Sequence, residues 1–412
     1  MDGITANRRE FLAKGASAAG LMALGAALLP HEAEAAPISS HIASARDFGA
    51  KGDGKTDDTA ALRKAFKDSP AGSAIFVPRG DYVISGAIDM GVNQAMLGEP
   101  FGTRIVVRHY DAPAVRVPTE SRVSDIVFVY PDNGDLANPK ECPETISLLG
   151  NGAGYIDNIT FANAFVGVGT PKGGANCGQS VIRKLNGFVH DTMVHIDGSL
   201  DIIRIENVHC FVAGGPADNE KAYYRTHRKC FHMRSTDGLM ISKSFMILGK
   251  TFFLKEPGNH GPALSSYLTQ CWVEAMSDYC FQINDCTRVV ISDTEMTAAN
   301  AKALIELNKG AFARITGCYF RDSMNSIGIV INQDSGAIIS DCEFFGSPGF
   351  TGIRIDSKER TIVSNNYIHH CEVGITCAKD ADNYMITNNQ LSLNNTPLLG
   401  AKGKKALVKD NA

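Results

Sequence analysis

Four ionisable groups crowd into nine residues at Asp201-Ile-Ile-Arg204-Ile-Glu206-Asn-Val-His209. In an extended segment alternate side chains share a face, which puts Arg204 and Glu206 together. A base beside cations suits removal of a proton next to a carboxylate. A pair of carboxyl groups, here Asp201 and Glu206, suits hydrolysis or transfer of a glycosidic bond. A second cluster follows at Asp218-Asn-Glu-Lys-Ala-Tyr223-Tyr224-Arg225-Thr-His-Arg-Lys229. Its aromatic rings could pack on sugar rings, and its cations could fork a carboxylate. Glu206, Arg204, Asp201 and His209 are therefore the candidate catalytic residues. Arg183, His195, Tyr223, Tyr224, Arg225 and His232 are the candidate substrate-binding residues. A solvated ladder of surface ion pairs would give the first cluster equally well, and a charged loop or subunit contact the second.

Positioning such groups requires a scaffold, and the scaffold is written as a repeat. Ile291-Ser-Asp-Thr-Glu-Met, Ile315-Thr-Gly-Cys-Tyr-Phe, Ile339-Ser-Asp-Cys-Glu-Phe, Val363-Ser-Asn-Asn-Tyr-Ile and Ile386-Thr-Asn-Asn-Gln-Leu follow one another at steps of 24, 24, 24 and 23 residues. Leu268 and Ile241 continue the series backwards, and Ile205, Ile182 and Ile159 extend it at intervals of 23. A second series, Ile283-Asn284, Leu307-Asn308, Ile331-Asn332 and Ile355-Asp356, runs in phase with it. Two short strands per repeat with Asn or Asp at the corner, and no helical period, predict an all-β fold: a single-stranded right-handed parallel β-helix. Stacking then places Cys271, Cys318 and Cys342 in one buried, unbonded ladder and Asn284, Asn308 and Asn332 in another. The slot after the key aliphatic residue is Ser or Thr on most coils but Arg183 and Glu206 on two adjacent ones. Long intervals at 126–159 and 205–241, with excursions at 131–146 and 213–229, predict walls around a groove over those coils.

Composition narrows the classes. The chain has 412 residues, 44% hydrophobic and 20% charged, with a formal net charge of −4. Such a balance excludes a disordered chain and a polytopic membrane protein, and argues against a nucleic-acid binder. Eleven cysteines are too dilute for a disulfide framework and lack paired zinc spacing. Residues 1–35 resemble a twin-arginine signal peptide: Arg8-Arg9-Glu10-Phe11-Leu12 precedes a short apolar run, and Ala33-Glu34-Ala35 offers a cleavage site. The resemblance implies export to the periplasm or medium, with no stable membrane insertion after cleavage. The domain would then be residues 36–412: a cap at 44–84 with a short helix carrying Leu62, Ala65 and Phe66, coils to about 395, and a polar C-terminal tail.

Asp47-Phe-Gly-Ala-Lys-Gly-Asp-Gly-Lys-Thr-Asp-Asp-Thr59, with Pro78-Arg-Gly-Asp-Tyr82, resembles the opening of the pectate lyase superfamily β-helix, shared by relatives of glycoside hydrolase family 28. By fold analogy the resemblance implies a carbohydrate-active enzyme that cleaves or rearranges a polysaccharide, with a lyase on an acidic glycan placed first. A glycoside hydrolase or fructan-type cyclising transglycosylase using a carboxylate pair is the alternative, and a non-catalytic polysaccharide-binding β-helix is the third. No cofactor is expected. Ca²⁺ would suit a lyase, but no clustered Asp triad supports it. The expected partner is a polysaccharide or oligosaccharide, with a homo-oligomer left open.

Overall fold

The structure, a computed structural model, describes residues 42–150, 152–212, 217–259, 264–298, 300–321 and 325–412. The twin-arginine segment lies outside the described residues. Thirty-three described strands pair only in parallel, each with its equivalent one coil away, so the chain winds as a parallel β-helix. Three sheet faces run along the solenoid. The first carries Asp157, Arg183 and Glu206 in register. The second carries His209, Phe245 and Trp272, and the third His195 and His232. Inward Ile, Val, Phe and Met side chains from all three fill one continuous core.

The turn from first to second face sets the coil. Its corner residue is left-handed on coil after coil: Asp125, Asn158, Lys184, Asn207, Lys243, Gln270, Asp293, Gly317, Asp341, Asn365, Asn388 and Asp410 all have φ between 49° and 64° or just at those bounds. At the first four corners the next residue is a buried aliphatic, Ile126, Ile159, Leu185 or Val208; from the Lys243 corner onward it points inward and bonds to nearby backbone. Ser244, Cys271, Thr294, Cys318, Cys342, Asn366, Asn389 and Asn411 occupy this slot. Asn366 Nδ2 donates to Ile339 O and Ser364 O at 3.1 Å each, while its Oδ1 accepts from Cys342 N at 3.0 Å. Cys271, Cys318 and Cys342 are buried and unbonded to one another, as the repeat predicts. The Asn284–Asn308–Asn332 ladder is also present, with Asn308 Nδ2 donating to Asn284 Oδ1 at 3.0 Å.

Two parts of the expected register are corrected. Ile156, not Ile159, pairs with Ile182 and Ile205, while Ile159 pairs with Leu185 on the second face. Two aliphatics three residues apart flank the same corner, so either could have carried the repeat. The slot before the corner on that coil is therefore Asp157. The second correction is at the C-terminus, where the expected polar tail instead adds strands Thr396–Leu399 and Leu407–Lys409. Asn411 then fills the inward slot, its Oδ1 accepting from Asn389 N at 3.0 Å.

At the other end, helix α1 (Thr59–Asp68) buries Leu62, Ala65 and Phe66. Asp57 Oδ1 accepts from Thr59 N at 2.9 Å at the helix entry, and Asp58 takes the N–H groups of Lys51 and Gly52 at 2.6 and 3.0 Å. Gly52 has φ +62°, and a Cβ there would stand 2.7 Å from the Tyr82 ring. That opening thus meets a packing requirement that ties the Asp-Asp pair to the Gly-Asp-Tyr strand.

Each slot amide satisfies three backbone groups away from water. Asn366→Ala and Asn389→Ala should each lower unfolding free energy by about 1–3 kcal/mol, read by urea denaturation. Asn365→Gly, at the neighbouring corner, should stay within about 1 kcal/mol of the parent, because glycine takes φ 58° freely.

Candidate functional site

Both insertions leave the solenoid between the second and third strands of their coils: 131–143 before strand Glu144–Leu148, and the described residues 211–212 and 217–228 before strand Lys229–Met233. They therefore border the third face, whereas Arg183, Arg204 and Glu206 lie on the first. The insertions thus border a different face from the one that carries the expected charged residues.

On the first face the charges form a solvated ladder. Arg183 Nη2 lies 3.0 Å from Asp157 Oδ2, and Arg122 Nη2 lies 3.5 Å from the same oxygen. Arg183 is thus engaged by Asp157 rather than by Glu206, although it stands directly beside Glu206 in the register. Arg204 and Glu206 are exposed. Asp201 sits before the strand, where Gln179 Nε2 and its neighbour Ile202 N donate to it at 2.8 and 2.7 Å; these bonds hold its carboxyl below the usual range. His209 lies around the corner on the second face, its ring 4.8 Å from that of Phe245.

The second insertion folds in part as helix α2 (Asp218–His227). Tyr224, expected to face substrate, is wholly buried against Phe188 and Leu248, because the helix needs an apolar anchor on the solenoid. Arg228 is also wholly buried, donating to Leu248 O at 3.1 Å and to Phe211 O and Cys210 Sγ. Tyr223 stacks on His227 with centroids 4.2 Å apart, and Arg225 remains exposed.

The third face gathers the remaining candidates into a network. Strand alternation turns Val194, Ile196, Phe231 and Met233 inward, so His195 and His232 point outward. Their rings stack 4.6 Å apart at 16°. His232 Nε2 lies 2.9 Å from Glu256 Oε1, Arg234 Nε 3.6 Å from Glu256, and Arg234 Nη1 3.1 Å from Asp197 Oδ2. Asn259 N and Nδ2 close the set by donating to Asp197 at 3.1 and 3.0 Å. Lys229 Nζ meets Asp191 at 2.9 Å alongside.

Burial, the neighbouring His232 and the Arg234 cation push His195 down to about 4. It is therefore neutral at ordinary pH, and its Nε2 is buried without a hydrogen-bond partner. The bond from His232 holds Glu256 below the usual carboxyl range. Glu144 goes the other way, because burial raises it. Outward register along this face runs Ser147, Gly169, His195, His232. Glu144 hydrogen-bonds with Ser147 Oγ. Its Cβ and Cγ lie 3.1 and 3.5 Å from where a Gly169 Cβ would stand, so its arm crosses the glycine coil. That leaves Glu144 about one to two inter-strand spacings, roughly 5–10 Å, from His195. A carboxyl pushed up, a carboxylate pushed down and a neutral imidazole in one place make an acid–base constellation. Among the described residues no group of three or more His, Cys, Asp or Glu has metal-holding geometry.

Glu144, Asp197, Arg234 and Glu256 escaped the sequence reading. One signal was available: His195-Ile-Asp197 and His232-Met-Arg234 repeat one outward-inward-outward pattern on neighbouring coils.

With this geometry in view, the likenesses of the chain to other proteins agree with the architecture. Residues 42–112 match the family described as rhamnogalacturonase A/epimerase, pectate lyase-like, and residues 263–411 match the right handed beta helix region. The described residues form a parallel β-helix, and the likeness to the pectate lyase-like family lies over residues 42–112. A protein named "Probable rhamnogalacturonase A" from Aspergillus oryzae is 21% identical over 217 residues, 46% of each chain. The non-secreted LysM effector LysM19 of Penicillium expansum is 41% identical over 66 residues, 13% of this chain and 5% of its own. The chain thus spans less than half the length of either curated relative. The bacteriophage Phi29 gene product 12 N-terminal fragment superposes with a TM-score of 0.59 at 15% identity, covering 89% of this chain and 68% of that one; at this identity the likeness is one of fold.

Burial depresses two histidines beside this site, His190 and His195, each from 6.5 to about 4. The unfolded chain binds protons first, so their contribution to stability is full above pH 6.5 and is lost as pH falls toward about 4. Replacing His195 by Gln should flatten the fall in Tm across that window, followed by thermal denaturation in a pH series.

Proposed function

We propose that the protein is a carbohydrate-active enzyme that cleaves an acidic polysaccharide on the third face, by β-elimination. The observation that carries this reading is the neutral, half-buried His195 set between the Arg234 cation and the up-shifted Glu144 carboxyl. In this reading the neutral His195 imidazole takes the proton on the carbon next to the substrate carboxylate. Arg234 and Lys229 favour the negative charge that develops on that carboxylate. The C–O bond to the leaving sugar breaks as the C=C bond forms, and Glu144 gives its proton to the leaving oxygen. Electrons and protons balance without an added oxidant, reductant or water. The excursion at 131–143 and helix α2 border this face and would flank a bound chain.

Hydrolysis is the second reading. It draws support from the partial likeness to a rhamnogalacturonase and from the opposed shifts of Glu144 and Glu256, which suit an acid and an ionised partner. Under it, water adds across the broken bond and no unsaturated product forms. The first-face residues Glu206, Arg204, Asp201 and Arg183 are assigned no chemical step in either reading. Export through the twin-arginine motif at Arg8-Arg9 remains part of the proposal, and an Arg8→Lys/Arg9→Lys pair should retain the protein in the cytoplasm, read by fractionation.

One assay separates the readings: a polysaccharide panel followed for unsaturated-product absorbance and new reducing ends together. Both signals together are expected, and reducing ends without absorbance would replace elimination by hydrolysis. His195→Gln and Glu144→Gln should each lower kcat by about 10²–10⁴-fold, whereas Glu206→Gln should retain activity within about twofold. Loss of activity in Glu206→Gln with His195→Gln unaffected would move the site to the first face.

A further inference from the structure

The second face carries a pattern that the proposed reaction does not use. Outward residues follow one another there, coil by coil, as Phe245, Trp272, Glu295, Tyr319, Glu343 and Tyr367. From Trp272 on, an aromatic ring and a carboxylate alternate strictly. Rings therefore recur every second coil, about 9.6 Å apart along the solenoid axis. Trp272 is 49% exposed. Its ring is braced edge-on by Phe245 at 6.2 Å, and Tyr367 is braced by the His369 ring stacked 4.0 Å away. Trp272 and Tyr367 are thus held in place, Tyr319 and Tyr367 are partly exposed, and Glu343 is steadied by His369 Nε2 at 3.2 Å.

We propose that this face is a binding platform for an extended neutral polysaccharide lying along the solenoid axis, with sugar rings on Trp272, Tyr319 and Tyr367 and their hydroxyls donating to Glu295 and Glu343. Three features select that occupant. Aromatic side chains offer flat apolar area with little entropy to lose, and a fixed two-coil spacing matches a chain of repeating rings. A carboxylate between every two rings would be costly in the core of a protein interface, where charged residues are depleted, yet it is well suited to hydroxyl donors. The same carboxylates disfavour a polyanion, so this platform and the third face would take chemically different glycans. The proposal does not depend on the catalytic reading.

Trp272 is the chain's single tryptophan, so emission excited selectively in tryptophan, at the red edge where tyrosine does not absorb, reports on this face alone. The protein is titrated with hydroxyethyl cellulose and with galactan as neutral probes, and with polygalacturonate as the anionic one. The expected result is a saturable emission change with a neutral probe, and a weaker one with polygalacturonate. Tyr319→Ala and Tyr367→Ala should each weaken neutral binding roughly threefold to tenfold with far-UV circular dichroism unchanged. Glu295→Lys, at a partly exposed position, should shift preference toward polygalacturonate. His195→Gln should bind the neutral probe like the parent, which separates this result from failure of the catalytic reading. No emission change with either neutral probe, or a change that depends on protein concentration without glycan, would overturn the proposal, the second outcome assigning the face to a second copy of the chain.

Discussion

The left-handed corner between the first and second faces is the constraint on which the whole solenoid rests. A non-glycine residue at positive φ costs on the order of 1–2 kcal/mol, and the chain accepts that cost on nearly every coil. What offsets it is the residue that follows: a buried aliphatic at the first four corners, and from Ser244 onward a side chain that turns inward and bonds to nearby backbone. Asn389 shows the logic: its Nδ2 donates to Val363 O at 3.0 Å and Thr387 O at 3.1 Å, while its Oδ1 accepts from Asn366 N at 3.0 Å. Where the slot holds Cys or Thr, weaker bonds do the same work, as with Thr294 Oγ1 accepting from Cys271 N at 3.3 Å. The parallel backbone ladder sets the coil spacing, and corner and slot hold each turn in register with it, so side chains on neighbouring coils keep fixed distances.

That dependence explains what could be read from the chain before its structure. The later coils have few insertions, so Ile-Ser-Asp-Thr and its variants recur at an almost constant step and reveal both the fold and the cysteine ladder. The early coils were harder, because Ile156 and Ile159 are both aliphatic and sit on either side of Asn158, itself a corner at φ 55°. Choosing Ile159 hid Asp157, and with it the fact that Arg183 already has a partner. Helix α2 misled for a related reason. Tyr223 and Tyr224 look alike in sequence, yet a ten-residue helix must spend one of them as its anchor, and Tyr224 meets Phe188 edge-on at 5.6 Å. Glu256 and Asp197 lie beyond the strands, so no periodicity marks them.

Solvation is what separates the two clusters of charge. On the first face Arg122 and Arg183 have nearly half of their side-chain surface in water. Exposed pairs of that kind contribute little and are screened by salt. On the third face Asp197 is almost wholly buried and bonded from Arg234 and Asn259. Desolvation there moves Glu144 and His195 in opposite chemical senses toward the same uncharged state. Opposed needs of that sort are costly to maintain in a structural ion-pair ladder but suit groups that exchange protons. The residues that looked most reactive in sequence, being densely charged, are for the same reason the best hydrated.

A parallel β-helix offers few ways to vary a site, since adjacent outward positions stay about one inter-strand spacing apart whatever their identity. Reach can change only through side-chain length or through a loop. The third face uses both. Gly169 removes a side chain from the row, and the Glu144 arm lies across the vacated position; any larger residue at 169 would meet that arm and the His195 carbonyl at 3.0 Å. Asn259, from the turn that follows the strand of Leu254, reaches back 62 residues in sequence to clasp Asp197. The second face uses neither device and keeps its alternation of ring and carboxylate undisturbed over five coils. Irregularity on one face and strict regularity on another thus follow from what each arrangement can do: a broken row brings unlike groups together at one point, while an unbroken row can only repeat the same contact along a line.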